Sequence, residues 1–339
     1  MQGITTDQAS SWLAANIAAA TPPFDYSLIA GGRSNLTYAV IDGAGNRFVL
    51  RRPPLGHVLA TAHDMAREHR IVSAVGRTDV PVPPVLGICS DASVIGAPFY
   101  VMGFVDGVVL DGPDRAAELP VSLRPKVSEH LIDVLADLHA ADVDDVGLGD
   151  LARRDGYVER QVKRWSMQWQ QSKTRELPAI DEVARRLSAR IPVQRGVSIV
   201  HGDFRFGNCL VDVAAGRVNA VLDWELCTLG DPLADVGYLG VYWSDGEAAT
   251  ARPNDPTPAG GFLPYPDVLE RYANRTGRDL ADIGYYIAFS CWRLAVISEG
   301  VYARYLHGAM GDGNDVDVSS FKDGAETLAE RALLALPSA

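Results

Sequence analysis

The 339-residue chain is poor in cysteine, poor in positive charge and without a long apolar run, and each shortage closes off a class of protein. Its four cysteines, Cys89, Cys209, Cys227 and Cys291, form no C-x-x-C pair and no dense spacing. That argues against a disulfide framework and predicts buried thiols in a reducing cytosol. The seven histidines contain no H-E-x-x-H pattern, so a zinc centre of that kind is not expected. Lys and Arg number 31 against 43 Asp and Glu, a net charge of −12. A general nucleic-acid binder needs the opposite, a basic footprint. The longest apolar run near the C-terminus, IGYYIAFSCW, is cut by Arg293, short of the roughly 20 residues a membrane-spanning helix requires. Met1 is not followed by a basic-then-apolar leader, and no internal repeat is visible. The expectation is a soluble cytoplasmic protein that uses neither nucleic acid nor membrane as partner. No pattern specifies an oligomeric state.

What is present is enough apolar sequence, 47%, to bury a substantial core, over a length that implies two lobes. TTDQASSWLAANIAAA begins with cap-type residues and puts Ala9, Trp12, Leu13 and Ile17 on one helical face. Strand-like pieces follow, YSLIAGG, LTYAVIDGAGNRFVLRR and PFYVMGFVDG, the second folding about a Gly-Ala-Gly-Asn turn. With the helical stretch ATAHDMAREHRIVSAVG they predict a small antiparallel sheet with one helix over about 24–105. From about residue 121 the pattern turns helical. SLRPKVSEHLIDVLADLHAAD carries Val127, Leu131, Val134, Leu135 and Leu138 as a core stripe, and GYVERQVKRWSMQW carries Tyr157, Val162, Trp165 and Trp169. Charge is uneven: residues 106–155 hold twelve acids and five bases, residues 153–195 eleven bases and five acids. Solvated helix faces or a positive wall beside an anionic substrate both fit that pattern.

One stretch stands out against this background. IVHGDFRFGNCLV, residues 199–211, sets a His, an Asp, an Arg and an Asn between two apolar runs, and VNAVLDWELC follows as a second strand-like piece. A β-turn-β unit built this way gathers Asp203, Asn208 and Asp223. Two carboxylates and an amide suit a hard cation such as Mg²⁺ that keeps several waters. They also suit phosphoryl transfer, in which the protein mainly positions groups and neutralises charge. Protein kinases write such a site as H-R-D-x-x-x-x-N followed by D-F-G. Here the wording is His201-Gly202-Asp203, then Asn208 five residues on, then Asp223-Trp224-Glu225.

HGDFRFGN, VLDWE and LGDPLADVGY, in that order, resemble the aminoglycoside phosphotransferase and choline kinase family, small-molecule kinases with the protein-kinase-like fold. The resemblance runs from about residue 24 to 330. It implies an α+β bilobal fold, with residues 1–105 as a nucleotide-binding lobe and 106–339 as a helical lobe carrying catalytic loop and acceptor site. It also implies ATP or GTP as co-substrate with Mg²⁺. Asp203 is then the catalytic base, Asn208 and Asp223 are the metal ligands, and Asp235 braces the catalytic loop through backbone N–H groups. His201 is expected to hydrogen-bond within that loop. Arg205 is placed to touch phosphate or to pair with a carboxylate. GGRSNLTY resembles the turn that covers the phosphates, bringing in Ser34 and Asn35. FYVMGFVDG resembles the adenine-binding linker, bringing in Met102, Gly103, Phe104 and Val105.

The departure lies in FVLRR, where the family carries a phosphate-contacting Lys and this chain carries Arg51, with Glu68 as its expected helix partner. Arg is permanently charged and forks onto two acceptors, but it is not interchangeable with Lys. One reading has Arg51 paired with Glu68 and still gripping phosphate; the other has weakened nucleotide binding in a non-catalytic module. LRRPP and ERQVKRWSMQW also resemble the kinase-like domain fused to acyl-CoA dehydrogenases. That points to a hydroxylated acyl thioester or another metabolite hydroxyl, and the acidic 106–155 segment to an aminoglycoside-like acceptor. A metal-dependent hydrolase using Asp203 and Asp223 is a third reading.

Overall fold

The computed structural model describes residues 3–29, 35–55, 63–245, 252–307 and 318–336. The first helix, α1 (Thr6–Asn16), buries Ala9 and Leu13, and Ile17 just beyond it continues the stripe. A five-stranded antiparallel sheet follows: β1 (Phe24–Leu28), β2 (Leu36–Asp42), β3 (Arg47–Arg52), β4 (Val85–Cys89) and β5 (Phe99–Gly103), in the order β1-β2-β3-β5-β4. Asp42 closes the β2–β3 turn, its Oδ1 accepting from Ala44 N at 2.9 Å and Asn46 N at 2.7 Å. Helix α2 (Met65–Val75) is capped by Asp64, which accepts from the N–H groups of Ala66 and Arg67.

Strand alternation divides the sheet into two faces. Tyr38, Val40, Phe48, Leu50, Phe99 and Val101 pack with α1. The opposite face carries Thr37, Val49, Arg51, Tyr100 and Met102, and the register sets Arg51 across from both Thr37 and Tyr100. The strand β4 was not foreseen, because Pro81, Pro83 and Pro84 precede it and read as loop.

The rest is mainly helical: α3 (Pro113–Ala116), α4 (Arg124–Ala140), α5 (Tyr157–Ser172), α6 (Pro178–Ala189), α7 (Leu233–Val241), α8 (Tyr265–Thr276), α9 (Ile283–Leu306) and α10 (Ser319–Ala335). All five apolar residues expected on α4 are buried, as are Tyr157, Val162 and Trp169 of α5, with Trp165 partly covered. Two small sheets lie among the helices. β7 (Cys209–Asp212) pairs with β8 (Arg217–Val221), and β6 (Ser198–Val200) pairs with β9 (Thr228–Gly230), a partner the sequence reading did not include. Val108 and Val211 exchange backbone hydrogen bonds at 2.8 and 2.9 Å, fastening the chain that leaves β5 to β7.

Helices α7 and α9 cross so closely at Gly237 that a Cβ there would lie 2.5 Å from the carbonyl carbon of Tyr286. Backbone cannot yield cheaply to such a contact. Gly237→Ala is therefore expected to destabilise the protein by about 1–3 kcal/mol, read as a Tm lowered by several degrees in a thermal melt. An unchanged Tm would mean that the crossing is looser than the structure has it.

Candidate active site

The polar run after β6 is a loop hung from buried anchors. Phe204 and Phe206 are buried, and Phe206 stacks on Trp243 with ring centroids 5.5 Å apart. Gly202 takes a left-handed φ of +85°, and a Cβ there would stand 2.9 Å from the Leu226 carbonyl oxygen, so the turn requires glycine. His201 is fully buried; its Nε2 lies 2.9 Å from the Leu222 carbonyl oxygen, and its Nδ1 accepts from Asp203 N at 3.2 Å. The neutral tautomer with the proton on Nε2 satisfies both bonds. Asp235, at the start of α7, accepts from His201 N at 2.6 Å and from Gly202 N at 2.8 Å. Burial alone would raise the Asp235 pKa, but His139 and these donors hold it below the ordinary carboxylate value. His139 Nε2 lies 3.3 Å from Asp235, while His139 Nδ1 lies 2.7 Å from the Tyr272 hydroxyl.

With the loop pinned, its remaining polar groups meet. Asn208 Nδ2 donates to Asp203 Oδ2 at 2.8 Å and to the Asp203 carbonyl oxygen at 2.8 Å. Arg205 Nε donates to Asp203 Oδ1 at 3.3 Å, so one carboxylate is held at both oxygens. After β8 the chain passes through Asp223 in the left-handed region, φ +64°, which an aspartate tolerates at some cost.

Arg51 reaches across from the sheet. Its Nη2 donates to Asp223 Oδ1 at 2.7 Å, its Nη1 to Thr37 Oγ1 at 3.3 Å, and its Nε stands 2.8 Å from Glu68 Oε1. Glu68 is buried on α2 and also accepts from the Tyr100 hydroxyl at 3.0 Å. Burial works against the Arg51 charge, yet Glu68, Tyr100 and Asp223 together hold its pKa above the ordinary arginine value. No lysine substitutes for it, since the first lysine in the chain is Lys126.

A cavity of about 430 Å³ opens between the sheet and the helical part. Arg51, Glu68, Met102, Gly103, Phe104, Val105, Asn208 and Asp223 all line it, with Val49, Val72, Leu210 and Val221 as apolar walls. Asn35 does not line it. Its side chain is buried, with Nδ2 3.4 Å from both Glu68 and Glu225 and Oδ1 2.9 Å from His63. Ser34 lies outside the described residues. Thr37, Tyr100 and His139 were missed from sequence. Tyr100 stands two residues before Met102 on an inward-facing strand position, which was its only signal; His139 had none. Chemically, Asn208 spends its amide N–H groups on Asp203, leaving Oδ1, and Arg51 takes one oxygen of Asp223, leaving the other. Two hard oxygen donors on one wall fit Mg²⁺, which takes few protein ligands and keeps its waters.

A model of the phosphotransferase enzyme family matches residues 25–272. Acyl-CoA dehydrogenase family member 10 of Mus musculus is 36% identical over 293 residues, a match that covers 85% of this chain and 27% of that protein. The chain thus spans about a quarter of that relative. A solved structure of a candidate aminoglycoside phosphotransferase from Ralstonia eutropha superposes with a TM-score of 0.81 at 31% identity, covering 98% of this chain and 100% of the other. Aminoglycoside 2'-phosphotransferase-IIIa, solved as a GDP complex, shares the fold at a TM-score of 0.63 and 14% identity, covering 98% and 100% of the two chains. The chain belongs to the phosphotransferase enzyme family and has its protein-kinase-like fold.

Proposed function

We propose that this protein is a magnesium-dependent kinase that moves the terminal phosphoryl group of ATP or GTP onto a hydroxyl of a small metabolite. The observation that carries the reading is the Asp203 carboxylate, held 2.8 Å from an Asn208 that lines one cavity with Asp223 and Arg51. Asp203 takes the proton of the attacking hydroxyl as that oxygen bonds to the terminal phosphorus. The bond from phosphorus to the bridging oxygen breaks, and nucleoside diphosphate leaves. Asn208 and Asp223 would hold Mg²⁺, which when bound neutralises charge on the phosphates. The apolar walls and the linker Met102 to Val105 receive the base, as the GDP complex of a protein with the same fold supports. Residues 1–105 serve as the nucleotide lobe and 106–339 as the lobe that holds the acceptor. The four free, buried cysteines fit a reducing compartment, and we place the activity in the cytoplasm.

The acceptor is anionic on this reading. Beside Asp203, Arg205 stacks over Tyr242 at 4.9 Å, Arg252 over the same ring at 6.0 Å, and Arg293 over Tyr238 at 4.7 Å. Each has a buried guanidinium N–H with no partner, and among the described residues only Arg205 has a carboxylate partner. A polycationic sugar would be repelled here, whereas a hydroxylated acyl thioester or another anionic metabolite supplies the missing acceptors. Purified protein with Mg²⁺ and nucleotide should release diphosphate faster when a hydroxyacyl thioester is added, and no faster with an aminoglycoside. The second reading, a non-catalytic binding protein, is favoured by the hold Arg51 has on Asp223. It predicts thermal stabilisation by ligand with no diphosphate released under any condition.

Arg51 separates these readings further. A lysine keeps the charge but cannot fork between Glu68, Asp223 and a phosphate. Arg51→Lys is expected to weaken nucleotide binding roughly 10- to 100-fold, the loss of one charge-assisted hydrogen bond, in a fluorescence titration. Equal or tighter binding would show that the fork does not grip the nucleotide.

A further inference from the structure

The catalytic loop holds a glycine whose missing side chain is occupied by another residue. Gly207 has an ordinary negative φ, so its backbone does not demand glycine. Yet a Cβ at Gly207 would lie 2.0 Å from Arg205 Nη1 and 2.9 Å from Arg205 Cζ. The guanidinium folds back two residues and rests on the bare Cα of Gly207. From there its Nε reaches Asp203 Oδ1 at 3.3 Å, and its outer face lies on the Tyr242 ring, 4.9 Å from Cζ to centroid. The Nη1 atom is buried without a hydrogen-bond partner. Asn208 meanwhile holds Asp203 Oδ2 at 2.8 Å, so the carboxylate is gripped at both oxygens by residues of its own loop.

We propose that Gly207 is the seat of the Arg205 guanidinium, and that the seated guanidinium fixes the orientation of Asp203, making Arg205 and Gly207 positioning residues for the base. The inference rests on the kinase reading and on Asp203 as base. Gly207 also lines the cavity proposed for the nucleotide, and a role there is the competing explanation for it.

A double-mutant cycle decides between them. The far end of an arginine moves cheaply, so Gly207→Ala should fold with a Tm close to the parent while pushing the guanidinium off its seat. Gly207→Ala and Arg205→Ala are each expected to lower kcat by about 10²-fold, the scale of a misplaced catalytic group, with nucleotide KM and directly titrated Kd unchanged. The double variant should be no worse than Arg205→Ala alone, because the methyl group then has nothing to displace. Multiplying effects, or a Kd raised by Gly207→Ala in both backgrounds, would overturn the proposal and assign Gly207 to the nucleotide. Asp203→Asn, run alongside, keeps the two failures apart. If it leaves turnover intact, the base assignment fails and this inference with it. If it abolishes turnover while the cycle is multiplicative, only the seat is wrong.

Discussion

Asp203→Asn is expected to lower turnover by about 10²- to 10⁴-fold, the usual contribution of a positioned general base, with the affinity for nucleotide little changed. The amide keeps the size of the carboxylate and one accepting oxygen for Asn208 or Arg205, but its NH2 group faces the other donor and it cannot accept the hydroxyl proton. Asp203 does not line the nucleotide cavity, which is why binding should survive. Initial rates of diphosphate release, set beside a direct nucleotide titration, give kcat and Kd separately. A variant that turns over at the parent rate would remove Asp203 from the chemistry. A variant that loses binding as well would mean that the loop depends on this charge for its shape.

The second large effect concerns stability. Asp235 is fully buried and accepts from the backbone N–H groups of His201 and Gly202, with His139 behind it. In Asp235→Ala those two buried donors lose their acceptor, at a cost of about 2–6 kcal/mol, roughly 1–3 for each. Asp235→Asn keeps one accepting oxygen and should lose less, which guards against an alanine variant that fails to fold. Acid should act on the same cluster. His139 is pushed below its ordinary 6.5 by burial, and Asp235 below its ordinary 3.8. The unfolded chain therefore binds protons at both positions before the native protein does, and stability rises with pH over that range. Melting temperature should fall as pH drops below about 6.5, and further below about 3.8. A Tm flat from neutrality down to pH 5 would count against His139 as a neutral buried partner.

Much of this was legible in the chain because it is local. The D-x-x-x-x-N spacing puts Asp203 and Asn208 on one loop, and helical periodicity alone identifies the buried faces of α1, α4 and α5. What escaped was non-local or disguised. Arg51 and Asp223 are 172 residues apart and nothing near either announces the ion pair. Three prolines hid β4, and the three-residue strand β9 is too short to show a period. The resemblance of GGRSNLTY to a phosphate-covering turn makes Asn35 a phosphate contact, but its amide is turned inward to Glu68 and Glu225. Polar residues in turns point outward by default, and the carboxylates of buried Glu68 and partly buried Glu225 reverse that here. Tyr100 and His139 support ionised groups from behind, and a supporting role leaves no signature in sequence.

No lysine lines the cavity proposed for the nucleotide, and none precedes Lys126 in the chain. Acylation turns an ammonium into a neutral amide and would silence a phosphate-binding lysine; a guanidinium at that position offers no such nucleophile. Cys209, next to Asn208, is no substitute target, since burial pushes its thiol up to about 12. On the proposed reading, in which the acceptor is a reactive acyl thioester, Arg51 is in this way protected from modification by the substrate at the point where it must stay charged.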